Sequence, residues 1–424
     1  MFKTIKYATS GTQTLTRRKG NWLIGETNTG YGPTSSTGLY TAIEQPEGGY
    51  TLYLNKATQG PSIYVFNNNQ ELLDFCNNNL GSNQPNIIAL LDWIETQNNY
   101  AVDPTYFKFL ISTDENGVSD PDQFQLPLVS NGSVDFVVDW GDDNQDTITA
   151  YDDVATLHTY DSSGFYTVKI AGKLRGWKFN NGGDYKKLAT LYNWGCFNFT
   201  DTNTFYGCDM LYDVYCEDSP RISSTSLTTA FRNCYNMSLY SGGTFNNWDV
   251  SNVTNFINMF NSANRLHEGD SIPNLQYWDM SSATSLAGMF FSNTYCDYNI
   301  QGWDVSNVQN FQNMFIFSSF NEDIGNWDTS SATNMNGMFR GTYLFDQDIS
   351  NWVISGVTNF GNFLLSNSSF STENLDKIYN KWSQQNVYPS INISFGNTQY
   401  SSAGAAGRQS LIDAGWTITD GGQV

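Results

Sequence analysis

The chain has 424 residues and a mass of 47.6 kDa, which at ~150 residues per domain suggests about three domains. Lys and Arg number 20 against 41 Asp and Glu, leaving −21 at pH 7 and a pI near 4.2. Such a balance excludes nucleic acid and anionic lipid as main partners, because both need a basic face. Charged residues reach only 14% while aromatics reach 15%, and Asn occurs 49 times. A chain so rich in rings and neutral polar groups is too aromatic for disorder and reads as a surface-rich β or repeat protein.

The start, Met1-Phe-Lys-Thr-Ile-Lys6, is followed by no apolar run of about 7–15 residues, so no secretion signal is expected there. No stretch of ~18 apolar residues predicts a membrane span. Arg17-Arg-Lys19 is the one basic run, read as a solvated or interface segment. Gly30 to Gly38 is a Gly-rich loop without the Lys-Ser/Thr of a phosphate-binding loop. Tyr50 to Leu54 reads as a strand, and Gln70–Phe75 and Asn86–Ile94 carry helical spacing. Together these predict an α+β module over residues 1–103. The phrases at Gly30–Tyr40, Gly49–Ile63 and Leu90–Asn98 resemble an N-terminal module of phage structural proteins, which implies anchoring to a capsid or tail.

From 104 to 178 the pattern becomes alternating strands. Val134–Trp140 alternates, Gly141-Asp-Asp-Asn144 turns, and His158–Gly164 precedes Phe165–Ile170, which predicts a small antiparallel β-sandwich. The phrases Val138-Asp-Trp-Gly-Asp142, His158-Thr-Tyr160 and Gly164-Phe-Tyr-Thr-Val168 resemble a PKD-like domain, with W-G-D-D where that family has W-G-D-G. The resemblance implies a spacer or weak binding module. Asp139, Asp142, Asp143 and Asp146 form an acidic cluster. The first three are candidate calcium ligands, since calcium needs several convergent oxygens. The competing reading is a turn held by Asp side chains.

Internal periodicity dominates the next segment. Tryptophans fall at Trp248, Trp278, Trp303, Trp327 and Trp352, in steps of 30, 25, 24 and 25. Each is followed by an apolar pair: Met259-Phe260, Met289-Phe290, Met314-Phe315, Met338-Phe339 and Phe363-Leu364. The shared phrase reads WDVSNVTNFINMF, WDMSSATSLAGMF, WDVSNVQNFQNMF and WDTSSATNMNGMF, with WVISGVTNFGNFL as a degenerate last copy. Earlier copies keep Phe205 and Phe231 without the Trp. One unit cannot bury its own Trp, Val and Met-Phe, but stacked units bury them against their neighbours. A solenoid is therefore predicted over 188–370, with Trp248, Trp278, Trp303, Trp327 and Trp352 and Phe260, Phe290, Phe315 and Phe339 as its core. Three residues after the Phe comes a small side chain: Cys208, Cys234, Ala263, Asn293, Ser318 or Thr342. At the ~4.8 Å spacing of neighbouring strands, Cys208 and Cys234 would lie side by side, as a disulfide or as two reduced thiols. With no C-x-x-C and only His158 and His267, a metal site is not expected, and the six cysteines read as small buried hydrophobes. The repeat resembles that of BspA-like leucine-rich-repeat surface proteins and of Mycoplasma surface lipoproteins. The resemblance implies a non-catalytic ectodomain for adhesion or display.

Past 371 the repeat breaks. Thr372–Trp382 reads as a helix opened by a capping-like Thr, Ile391–Phe395 as a strand, Ala403–Ala414 as a helix and Trp416–Thr419 as a final strand. This α/β cap over 371–424 would cover the last open unit, and it resembles the segment closing such repeats in bacterial and phage surface proteins.

The fold class expected is thus multidomain and β-rich. No catalytic residue and no cofactor is predicted, since no acid/base pair recurs on one face. Display modules without a signal, lipid anchor or span point first to a bacteriophage virion structural protein on the particle surface, as a capsid decoration, fibre or tail component. Its partners would be other virion proteins, through the N-terminal module, and a host surface protein or glycan; self-assembly into a homo-oligomer is compatible. A bacterial cell-surface adhesin is the alternative, and a polysaccharide-active enzyme a third reading.

Overall fold

The computed structural model describes residues 106–216, 218–239, 245, 247–263, 275–296 and 298–424, and before them 14–18, 21–25, 40–44, 50–56, 60–66, 69–80, 85 and 90. Strands β1 (Thr14–Arg18) and β2 (Asn21–Gly25) pair antiparallel. So do β3 (Tyr40–Glu44), β4 (Tyr50–Lys56) and β5 (Gly60–Phe66), in that order. Helix α1 (Asn69–Leu80) buries Leu72, Leu73 and Cys76. Gly30–Gly38, Lys19, the helix expected at Asn86–Ile94 apart from Leu90, and His267 lie outside the described residues.

The centre of the molecule is a seven-stranded sheet. Its antiparallel part comes from β6 (Phe107–Ser112), β8 (Leu128–Asp139), β9 (Gln145–Ile148) and β11 (Phe165–Trp177). Phe107, Phe109 and Ile111 alternate with Lys108 and Leu110, and Val168 and Ile170 flank Lys169. One face is therefore apolar and fully buried, as a period of two dictates. A two-stranded sheet of β7 (Gln123–Gln125) and β10 (Leu157–Thr159) accompanies it and is all there is of a second sheet in this segment among the described residues.

The large sheet does not stop at the boundary read from the sequence. β12 (Leu188–Asn193) pairs antiparallel with β6, and β14 (Asp213–Val214) and β16 (Ser238–Leu239) then add in parallel. The short pair β13 (Asn198–Phe199) and β15 (Arg221–Ile222) is also parallel. Sheet order is β16-β14-β12-β6-β11-β8-β9, so the first repeats grow directly off the edge of the middle segment. One apolar core runs without a break from Phe107 to Trp416.

Beyond β16 the strands shrink to single parallel bridges, Ser226 to Asn255, then Ser285, Asn310, Asn334 and Asn359. The next bridge, Phe360 to Ile393, carries the register into the C-terminal segment. There α2 (Thr372–Trp382) precedes β17 (Asn392–Ser394), and α3 (Ala405–Asp413) precedes β18 (Thr417–Thr419), which pairs parallel with β17. The cap of α2 is Ser371, one residue before the expected Thr372; its Oγ accepts from the Asn374 N–H at 3.3 Å.

Candidate functional site

Each recurring residue of the repeat has a physical task. The Trp rings are 3%, 3%, 3%, 4% and 0% exposed in chain order, so they form core and not a stacking surface. Trp248 lies on Trp278 at 6.2 Å, Trp278 on Trp303 at 6.3 Å and Trp327 on Trp352 at 6.4 Å, all within 17° of parallel. From Trp278 onward each indole N–H also reaches back one repeat, to the carbonyl three residues before the previous Trp. Trp278 donates to Phe245 O (2.7 Å), Trp303 to Leu275 O (2.8 Å), Trp327 to Ile300 O (3.2 Å) and Trp352 to Ile324 O (2.9 Å). The Phe rings form a second column: 205 on 231, 231 on 260, 260 on 290, 290 on 315 and 315 on 339 stack at 5.3–6.0 Å. Their backbones are cross-linked as well, the N–H of Phe260, Phe290 and Phe315 each donating to the Met carbonyl of the next repeat at 2.9–3.0 Å.

The polar letters are equally occupied. The Asp after Trp248, Trp278 and Trp303 turns the chain: Oδ1 of Asp249, Asp279 and Asp304 accepts from the Ser backbone N–H two residues on, at 3.1–3.2 Å, and from its hydroxyl at 2.6 Å. Thr254, Thr284, Thr333 and Thr358 each donate their hydroxyl to the carbonyl at the same position of the previous repeat, at 3.0–3.2 Å. Asn255, Asn310, Asn334 and Asn359 each accept from the backbone N–H two residues on.

Two backbone positions per repeat are left-handed. One is two residues before the Phe column (Asn203, Thr229, Asn258, Gly288, Asn313, Gly337, Asn362). The other is two after it (Gly207, Asn233, Ser262, Ser292, Phe317, Gly341, Ser366). Gly and Asn suit such conformations because they lack a clashing β-branch or bond locally.

The small-residue column, read from the sequence as packing alone, also carries hydrogen bonds. Cys234 Sγ donates to Phe205 O (3.2 Å), Asn293 Nδ2 to Phe260 O (3.0 Å) and Thr342 Oγ1 to Phe315 O (2.6 Å). All six cysteines are free and buried, so Cys208 and Cys234 are two reduced thiols and not a disulfide. Burial drives the Cys208 and Cys234 thiols well above their ordinary range.

One group of exposed residues lies on the turn edge just past the Phe column. Phe317 is 47% exposed and left-handed at φ 56°, where other repeats carry Gly, Asn or Ser. Its ring fills the space beside Gly341, where a Cβ would approach within 2.5 Å. Arg340 lies over that ring at 5.8 Å and Phe291 meets it edge-on at 6.2 Å. The same arrangement occurs at Arg232 over Tyr206, 5.3 Å away. Neither guanidinium makes an ion pair among the described residues, in a chain carrying −21. Tyr235, Tyr295, Tyr343 and Leu344 are exposed on the following residues of the same turns. Sequence reasoning missed this edge because its residues are the ones that do not repeat.

The acidic cluster serves its own loop. Asp139 accepts from the Gly141 N–H (3.0 Å) and from Gln145 Nε2 (3.3 Å), and Asp142 accepts from the Asn144 N–H and Nδ2 (both 3.1 Å). Asp142 Oδ2 meets His158 Nε2 at 2.8 Å, and Asp146 Oδ2 accepts from the Trp140 indole at 2.8 Å. Burial alone would raise the Asp142 carboxyl, but hydrogen bonds from His158 and Asn144 outweigh it and hold it below the usual carboxylate range. Among the described residues no three His, Cys, Asp or Glu side chains, Asp139, Asp142 and Asp143 included, are grouped to hold a metal ion. The turn reading describes them, with Asp143 in the left-handed region at φ 68°.

Residues 225–318 and 297–403 match the family described as Mycoplasma protein of unknown function, DUF285. A domain of that family is present in the chain, covering less than half of it, and it is compatible with a BspA-like surface protein. The first match opens at Thr225, whose carbonyl accepts the first rung of the Thr column, and the second runs through α2 and β17. No curated protein and no solved structure matches the chain. No helix among the described residues is long and apolar enough to cross a membrane.

Proposed function

We propose that this chain is a non-enzymatic display and adhesion protein of an outer surface, built as a BspA-like solenoid that presents its turn edge to a partner. One observation carries the reading. The recurring large side chains are buried in the stacked core and the recurring polar ones are held in turn and rung-to-rung hydrogen bonds. Exposed Phe317, Tyr235, Tyr295, Tyr343 and Leu344 stand on the turns just past the Phe column, where Arg340 lies over Phe317 and Arg232 over Tyr206. Rigid aromatic anchors beside Arg are the chemistry of binding hot spots. The match to a Mycoplasma family favours the surface of a cell as the location.

The virion version of the same proposal puts residues 1–103 against a capsid or tail and the repeats outward. Its partners are other virion proteins and a host surface group. Beads carrying the purified chain test adhesion: they should bind host cells, and Phe317→Ser with Arg340→Ala should reduce binding at least tenfold. Adhesion that survives the double change, or turnover of a host glycan by the purified chain, would overturn this reading. For the virion version, removing residues 1–103 should abolish incorporation into particles while removing 188–370 leaves it intact.

A further inference from the structure

Between β11 and β12 the chain buries two charges. Lys187 is 0% exposed and Asp184 1%, at the two ends of a short 3₁₀ turn. Charged side chains so deep in a protein need partners, and both find them in the loop that runs from β6 into β7. The Lys187 ammonium donates to Ser119 O (3.2 Å), Ser119 Oγ (2.9 Å), Asp120 O (2.7 Å) and Gln123 O (2.9 Å). Asp184 Oδ1 accepts from the N–H groups of Val118 (2.9 Å) and Ser119 (3.0 Å). Its Oδ2 accepts from the Ser119 hydroxyl (2.6 Å) and the Gln125 N–H (2.7 Å). Ser119 Oγ thus stands between the two charges. Gly117 lets the loop close over them, since a Cβ there would overlap Asp184 Oδ1 and Lys187 Cε.

We infer that the loop oxygens form a cage for an ammonium-sized monovalent cation, occupied by the chain's own Lys187, and that this tethered ion locks the small β7–β10 sheet onto the large one. The cage holds four oxygens and the ammonium has three protons, so it is bound as a charge among dipoles and not by one directed bond per acceptor. The oxygens stand at 2.7–3.2 Å, wider than the calcium shell of about 2.3–2.6 Å. Backbone carbonyls at such a spacing suit a large monovalent cation, whose hydration shell they replace. Burial draws the Lys187 amine below its ordinary range, and the neighbouring Asp184, Asp120 and Asp122 draw it back up. The lock acts on β7 at both ends. Gln123 gives its carbonyl to Lys187 and Gln125 its N–H to Asp184, while Phe124 between them is fully buried. β7 pairs with β10 over three residues, and two short strands alone are marginal in water. The inference is independent of the Phe317 edge.

Hydrogen exchange of the full chain, followed over residues 118–125 and over the repeats, tests it. Lys187→Met keeps the stem and removes the charge, and Lys187→Ala empties the cage. In sodium chloride both variants should exchange at least tenfold faster than the parent over 118–125, while the repeats keep their protection. In ammonium chloride of the same ionic strength the Ala variant should recover most of that loss. The Met variant, whose stem still fills the cage, should not recover, and calcium chloride should restore neither. If the Ala variant does not fold in sodium chloride, its refolded yield in ammonium against sodium chloride is the readout, and a higher yield in ammonium is expected. Parent-like protection in Lys187→Met would reduce Lys187 to a packing residue and overturn the inference. Equal exchange or equal yield of the Ala variant in ammonium and sodium, or recovery in calcium, would overturn it as well.

Discussion

Trp303 allows the ring and the N–H of the indole column to be weighed separately. It is 3% exposed, stacks on Trp278 at 6.3 Å and on Phe290 at 6.3 Å, and donates to Leu275 O at 2.8 Å. Trp303→Ala removes the ring and should cost ~3–5 kcal/mol. Trp303→Phe keeps most of the apolar volume and leaves the Leu275 carbonyl with the Trp278 N–H (3.1 Å) alone, which adds about 0.5–1.5 kcal/mol, the net worth of one hydrogen bond, to the cost of the smaller ring. Trp248 supplies the control. It is equally buried, yet its indole nitrogen has no acceptor among the described residues. Trp248→Phe should therefore cost only the change in ring size. Urea denaturation followed by circular dichroism gives the two free energies, and hydrogen exchange at neighbouring amides shows whether unfolding is local, as stacked repeats allow. A difference between the two Phe variants of about 0.5–1.5 kcal/mol is expected. Equal costs, or a Trp303→Ala protein as stable as the parent, would refute the claim that the column is held by ring packing plus a repeat-to-repeat hydrogen bond.

Thr342→Val removes only the hydroxyl that reaches Phe315 O, which keeps the Ser318 N–H and hydroxyl as donors, and should cost about 0.5–1.5 kcal/mol in the same denaturation experiment. Asp142, Asp328 and Asp348 are all held below the ordinary carboxylate value. In Asp142 and Asp348 burial acts the other way, but hydrogen bonds (and Lys377 at Asp348) outweigh it, while Ser330 lowers Asp328. Their stabilisation is present above the unfolded carboxylate pKa near ~4 and is lost as pH falls through the lower folded values. The fall in melting temperature on acidification below that point should be shallower in the triple Asp→Asn variant, and an equal slope would contradict it. Phe317→Asn relieves a left-handed backbone at a bulky residue, so its melting temperature should stay within a few degrees of the parent, a change of about 1 kcal/mol at most, while adhesion falls. The six buried thiols should resist maleimide labelling in the native chain and react in denaturant; rapid native labelling would show that a cysteine is accessible.

Much of the architecture was legible in the residues because it is periodic. A Trp, a Met-Phe pair and a small residue returning every two dozen positions can be buried only by neighbours of the same kind, and alternation at Phe107–Ile111 and Val134–Val138 dictates strands with one apolar face. The C-terminal helices and strands followed from caps and spacing, to within one or two residues. The hydrogen bonds between repeats were not legible. That Trp303 donates to Leu275, or Thr342 to Phe315, depends on the register of stacking, which brings together groups 28 and 27 residues apart. The continuity of the sheet from β11 through β6 to β12, β14 and β16 was likewise hidden, because a strand shows its faces in sequence but not its edge partners. The turn-edge surface belongs to that second class, because Phe317 and Arg340 are unremarked residues in a variable turn. Sequence alone determined which side chains had to be buried, since burial is written in composition and period. Only the tertiary structure decided which polar groups meet on the outside, since that is set by strand pairing and by the pitch of the stack.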